Sequence, residues 1–303
     1  YDYYGMPQDY LQQLKEQVEN VTPEDVMDVA KKKLHPDALQ ILVVGNKEEF
    51  GEPLSALGEV NEIDITIPEP ETAEFTATDE ELAKGMKMLA KAVDACGGVE
   101  SYKKIENTQS EADVTMAMPQ GSMTINVSAV TVYPNMSHQT VKTPMGNQES
   151  TFIGDAGWVK AQEQVQMMGP DEIEESKTEM KRDMVMVFSA VDKPYYQVAY
   201  RGEEDFKGTT AARLDFFIAP DIQWTMYVDP ATNLPVGKKH MGQTMAGPGE
   251  IVTAYEEWQD FAGTKHPVKT NRDMGPMTMD VEVTTMTVNG KIDESIFTKP
   301  EGI

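Results

Sequence analysis

Four histidines, one cysteine and 21 methionines have the clearest chemical uses in this 303-residue chain, and their spacing argues against most of those uses. The histidines are His35, His138, His240 and His266, none with a second His or Cys three to five residues away. Zinc sites draw on such close spacing, as in His-Glu-x-x-His, so no metal ligand is assigned. The four are expected at the surface or in turns. Gly-x-Ser-x-Gly is missing, and Cys96 closes an amphipathic stretch before Gly97-Gly98. A small buried hydrophobe is the plainer expectation there than a nucleophile. No Gly-rich phosphate loop follows a strand, and among 51 Asp and Glu a pair of carboxylates carries no information. No catalytic residue is assigned, and no cofactor within this chain.

Methionine is more informative. Seventeen of the 21 fall between Met116 and Met286, with Met-x-Met at Met116/Met118, Met184/Met186 and Met277/Met279. Thioether sulfur suits Cu(I), but His and Cys co-ligands are scarce, which puts copper last. On a strand, period two places both members of each pair on one face, as flexible apolar packing. Between these stands an adaptable groove, because unbranched Met repacks against varied apolar partners at little cost. The groove reading takes Met123, Ile125, Val127, Phe216, Trp224 and Met226 as its ligand-binding lining.

Composition narrows the partners. The formal charge of −25 argues against nucleic acid and against docking on anionic headgroups, since both need clustered cations. No window approaches 18 uncharged apolar residues, so no transmembrane helix is expected. A single Cys excludes an internal disulfide framework. The chain opens on Tyr1 with no charged and apolar leader pattern, and reads as a piece of something longer.

The elements that must position these residues fall into two segments. Between Glu48 and Glu81 there are 12 acids and no Lys or Arg, with Pro53, Pro68 and Pro70 interspersed. Such a stretch self-repels, and residues 67–78 are read as an acidic, Pro-rich linker. Before it, Leu11, Leu14, Val18 and Val21 follow the helical period. Thr22-Pro23-Glu24-Asp25 starts a second helix, with Val26, Val29, Ala30 and Leu34 as its buried stripe. Leu39 to Val44 is expected to be a strand apolar on both faces. After the linker, a helix runs from Asp79 to about Cys96, and a helical turn follows at Val99–Lys104. The period then switches to two through Ala112–Met118, Met123–Ala129, Ala212–Ile218, Ile222–Val228 and Met277–Val283, with turn residues every 10–15 positions. One acidic helix, Pro170 to about Arg182, interrupts it. Many one-sided strands at that spacing mean an antiparallel sheet curled over an apolar filling. The fold class is therefore α+β.

Two resemblances add to this. Tyr3-Tyr4-Gly5-Met6-Pro7, Val21-Thr22-Pro23-Glu24-Asp25, Leu34-His35-Pro36-Asp37 and Leu57-Gly58-Glu59-Val60 make residues 1–66 resemble the C-terminal end of an insulinase-like (pitrilysin-family) zinc metallopeptidase. That implies a truncated α/β helix-helix-strand tail whose partners are upstream peptidase half-domains. Zinc is implied only in that upstream part, so this chain is expected not to hydrolyse peptides alone. Residues 79–303 carry Ala95-Cys96-Gly97-Gly98-Val99, Gly154-Asp155-Ala156-Gly157-Trp158, Asp229-Pro230-Ala231-Thr232-Asn233 and Val288-Asn289-Gly290-Lys291-Ile292. With these they resemble the periplasmic outer-membrane lipoprotein carrier and sorting proteins. That resemblance implies a curled antiparallel half-barrel packed on helices, a lipid, acyl chain or lipoprotein as partner, and a periplasmic or cell-envelope location. A stand-alone carrier module and a structural spacer are the alternatives to a peptidase-derived region.

Overall fold

The computed structural model describes residues 5, 7–38, 40–45, 50–63, 74–118, 121–143, 146–162, 164–244 and 247–299. The chain divides into two units, 1–69 and 70–303.

The first unit holds helices α1 (Tyr10–Glu19) and α2 (Pro23–Lys33). Thr22 starts α2 as expected: its hydroxyl accepts from the Asp25 amide, and the Asp25 carboxylate accepts from the Thr22 amide. The expected burial does not follow. Leu11, Val18, Val21, Val26, Val29 and Leu34 are all more than half exposed, and none of this unit's described residues is buried. The expected strand over Leu39–Val44 is also corrected. Residues 40–44 form no strand, and Leu39 lies outside the described residues. An apolar run becomes a strand only by exchanging backbone hydrogen bonds with a neighbour, and among the described residues none is paired with it.

The second unit is a 13-stranded antiparallel sheet, open and curled, with helices against it. Helix α3 (Asp79–Ala95) is capped by Thr78, whose hydroxyl accepts from the Glu81 amide. It ends where Gly97 and Gly98 take positive φ, with the Gly98 amide bonding back to the Val93 carbonyl at 2.9 Å. Helix α4 (Val99–Tyr102) follows. Strands β1 (Asn107–Met118), β2 (Gly121–Val132), β3 (Met136–Thr143), β4 (Gly146–Ile153), β5 (Ala156–Ala161) and β6 (Gln164–Met167) form one meander. Helices α5 (Pro170–Lys181) and α6 (Met184–Ser189) come next. A second meander runs through β7 (Gln197–Phe206), β8 (Thr209–Ile218), β9 (Ile222–Val228), β10 (Pro235–Thr244), β11 (Gly247–Phe261), β12 (Thr264–Asp273) and β13 (Thr278–Val288). Pairing of β1 with β13 joins the two halves, leaving β6 and β7 as the edges.

The main core lies between α3, α4 and α6 and the strands β7–β9. Leu89, Val93, Tyr102, Phe188, Val198, Leu214 and Phe216 are essentially inaccessible there. The period-two residues of β8 and β9 supply its floor, as their spacing predicts. One sequence reading is corrected. Met184 and Met186 lie on α6, where a two-residue step does not share a face, so strand geometry does not apply to that pair.

Candidate functional site

Helix α5 delivers charge to the interior. Its last turn carries Glu179, and Arg182 and Asp183 follow before α6. Arg182 Nη1 donates to Glu179 Oε1 at 3.1 Å, and His240 Nε2 on β10 lies 3.3 Å from the same oxygen. Burial works to raise the Glu179 carboxyl, but the His240 hydrogen bond and the charges of Lys238 and Arg182 outweigh it and hold the group well below the usual range. Asp183 Oδ1 accepts from the Val185 amide at 2.8 Å, capping α6, and the carboxylate also shares a hydrogen bond with Tyr133. Burial nevertheless leaves Asp183 raised above its ordinary value.

These groups face a cavity of about 370 Å³ between the α5–α6 junction and the sheet. Strands β9 to β13 contribute Trp224, Met226, Lys238, Thr253, Arg272 and Met286, among others. Burial pulls the Lys238 ammonium below its ordinary value, the negative charges of Glu179 and Asp183 oppose it, and the positive charge of Arg272 acts with it. Volumes of about 300–1,000 Å³ are usual for small-ligand sites. The wall is mixed: thioether, aromatic and methyl groups alternate with three cations and two carboxylates.

The six residues expected to line a groove separate into two sets. Phe216 and Trp224 are cross-strand partners on β8 and β9, stacked at 4.0 Å and 17°, and with Met226 they belong to the core. Trp224 and Met226 also reach the cavity, whereas Phe216 does not. Met123, Ile125 and Val127 lie on β2 outside the cavity lining. They share strand parity with Thr131, which does line it, and the β1–β2 register runs without a bulge. Opposite them stand Met116, Val114 and Ala112 of β1, and beyond those Met279, Val281 and Val283 of β13. An apolar lane therefore runs from the cavity at Val281 toward Met123, which is 41% exposed.

The histidine expectation is corrected for three of the four, while His35 is exposed as expected. His240 and His266 are buried at 5% and 6% exposure, and His138 is half-buried, because strand parity turns all three toward packed surfaces. Cys96 is buried and free, its thiol pushed up to about 12 by burial, as an inert core residue. Among the described residues, no group of three or more His, Cys, Asp or Glu is placed to hold a metal, and no helix is long and apolar enough to cross a membrane. Sequence reasoning missed Glu179, Arg182, Asp183, Lys238 and Arg272. Nothing in the sequence set them apart from surface residues of the same types.

No family model matches the chain, and no curated protein matches it. Solved structures do. A DUF1329 family protein from Desulfovibrio piger aligns with 72% of this chain and 97% of its own length, at 11% identity and a TM-score of 0.50. A LolA superfamily protein from Nitrosomonas europaea covers 71% and 97% at 12% identity, with a TM-score of 0.48. The likeness is one of fold. Nothing in these matches supports an insulinase-like segment.

Proposed function

We propose that the second unit is a non-catalytic binding module of the cell envelope that shelters the apolar chain of a lipid or lipid-modified protein. The observation that carries this reading is the cavity of about 370 Å³ with Val281 in its wall, continued in strand register by the apolar residues Val114, Ile125, Met279, Met116 and Met123. A chain laid along that lane meets flexible thioethers that conform to it without a fixed shape. The carrier-like resemblance of residues 79–303 supports the same reading, as does the open curled sheet. The peptidase-derived reading of residues 1–66 gains no such support, so the carrier module replaces it as the main proposal. A periplasmic location follows from the resemblance and is part of the proposal.

Displacement of a dansylated fatty acid tests it. Saturable binding is expected, weakened about tenfold or more by Ile125→Lys, which sets a charge in the lane. Ile125 is half-buried, so the fold is expected to survive the change. No saturable binding, or binding indifferent to Ile125→Lys, sinks the proposal.

A further inference from the structure

The cavity's carboxylates are already engaged, and several of its donors are not. Glu179 takes Arg182 and His240, and Asp183 takes the Val185 amide and Tyr133. Among the described residues, neither Lys238 nor Arg272 forms an ion pair, although both line the cavity. Arg272 Nε and Arg182 Nε are buried without a protein partner. So are Trp224 Nε1 and Thr253 Oγ1, on side chains only 4% and 7% exposed. These unpartnered donors come from the α5–α6 junction, β9, β11 and β12 and line one space. Leaving a buried donor unpaired costs the full desolvation penalty of that group, and more when the group is charged. A fold that meets that cost four times around one cavity is arranged for an acceptor rich in lone pairs and negative charge. The donor set is planar guanidinium, indole and hydroxyl around an ammonium, which matches the oxygens of a carboxylate or phosphate.

We infer that the basic end of the cavity, at Lys238, Arg272, Trp224 and Thr253, binds an oxyanion, the charged head of the amphiphile whose chain follows the lane. This rests on the proposed function for the chain, but the head site stands on its own donors. The surface of the protein is acidic, so a headgroup held here is recognised inside the fold, not by the exterior field.

The test compares three probes by calorimetry on the full chain: laurate, dodecanol of the same chain length, and inorganic phosphate. Laurate is expected to bind at least about tenfold more tightly than dodecanol, with the difference removed in Lys238→Met and in Arg272→Met. Trp224→Phe, which removes one donor and keeps the ring, is expected to weaken laurate several-fold and leave dodecanol unchanged. Equal binding of laurate and dodecanol overturns the head site while leaving the apolar lane intact. Binding of phosphate without laurate supports the oxyanion site as one for a free anion and sinks the chain-binding reading. No binding of any probe overturns both. Thermal melting of the unliganded variants supplies a second readout. Removing a buried cation that has no direct ion pair is expected to leave Tm within a few degrees of wild type. A fall of many degrees in both methionine variants makes Lys238 and Arg272 structural and overturns the inference.

Discussion

Protonation of His266 should set a measurable part of the acid sensitivity of this fold. The imidazole sits at 6% exposure on β12, its Nε2 3.0 Å from Thr264 Oγ1, with the rings of Tyr102 and Phe261 at 6.0 and 6.2 Å. Burial lowers its pKa from 6.5 to about 4, outweighing the attraction of Asp260. The unfolded chain therefore gains a proton near pH 6.5 that the folded chain refuses until about pH 4. The folded pKa is depressed, so the stability tied to neutral His266 is fully present above 6.5. It is lost as pH falls to about 4, and the loss stops below that. Over this interval one proton at about 1.4 kcal/mol per pH unit is worth roughly 3 kcal/mol. Urea unfolding followed by tryptophan fluorescence reads it, since Trp158, Trp224 and Trp258 all lie in the second unit. Wild type and His266→Gln should be compared in steps from about pH 7 to pH 4. His138 and His240, whose pKa values are also lowered by burial, remain in both proteins and cancel. The variant starts from a different stability, but wild type should lose roughly 3 kcal/mol more than it does across the range. Parallel stability curves would refute the reasoning.

Gly85 lets α3 lie directly on β7: a methyl there would overlap the Val198 carbonyl oxygen and come within 3.0 Å of the Tyr200 nitrogen. Gly85→Ala should therefore destabilise by about 1–3 kcal/mol, although Ala is the better helix former by about 1 kcal/mol. A rise in Tm on making it would show that the helix does not dock so closely. Leu89, fully buried on the same helix, should cost about 2–5 kcal/mol as Leu89→Ala, read as a lowered urea midpoint with unchanged slope.

The architecture of the second unit was legible because its signals are local. Period two in 212–218 and 222–228 set the core strands, and Gly97-Gly98 marked the end of α3. In the first unit the same kind of signal misled. Val26 and Val29 keep the helical period, yet whether a stripe is buried depends on what covers it, and periodicity carries no information about a partner. The cavity was illegible for a related reason. Arg182, Lys238 and Arg272 are ordinary surface residue types, separated in the chain by 34 residues or more, and their meeting is a product of strand register. Buried His240 and His266 were hidden likewise, since a histidine on an inward strand position looks in sequence like one in a turn.

Topology explains why chemistry collects where it does. Every strand connection but one joins neighbours in the sheet; the exception, carrying α5 and α6, runs from edge strand β6 to edge strand β7. Those are the two most distant strands in the order, so the connection spans from one meander to the other, and its residues meet strands of both. Glu179, Arg182 and Asp183 are on that crossing, facing Thr108 and Thr131 from one half and Lys238 and Arg272 from the other. A hairpin turn could not place a side chain there. The crossing also brings acid to where the strands bring cations: Glu179 pairs with Arg182 and His240, and Asp183 takes the Val185 amide, while among the described residues Lys238 and Arg272 form no direct ion pair. In a chain of net charge −25, this leaves a cation-rich interior behind an acidic exterior, the reverse of a surface built to attract anions at a distance. On the proposed function, affinity there comes from short-range donors and enclosed apolar wall, which suits a single amphiphile better than a polyanion.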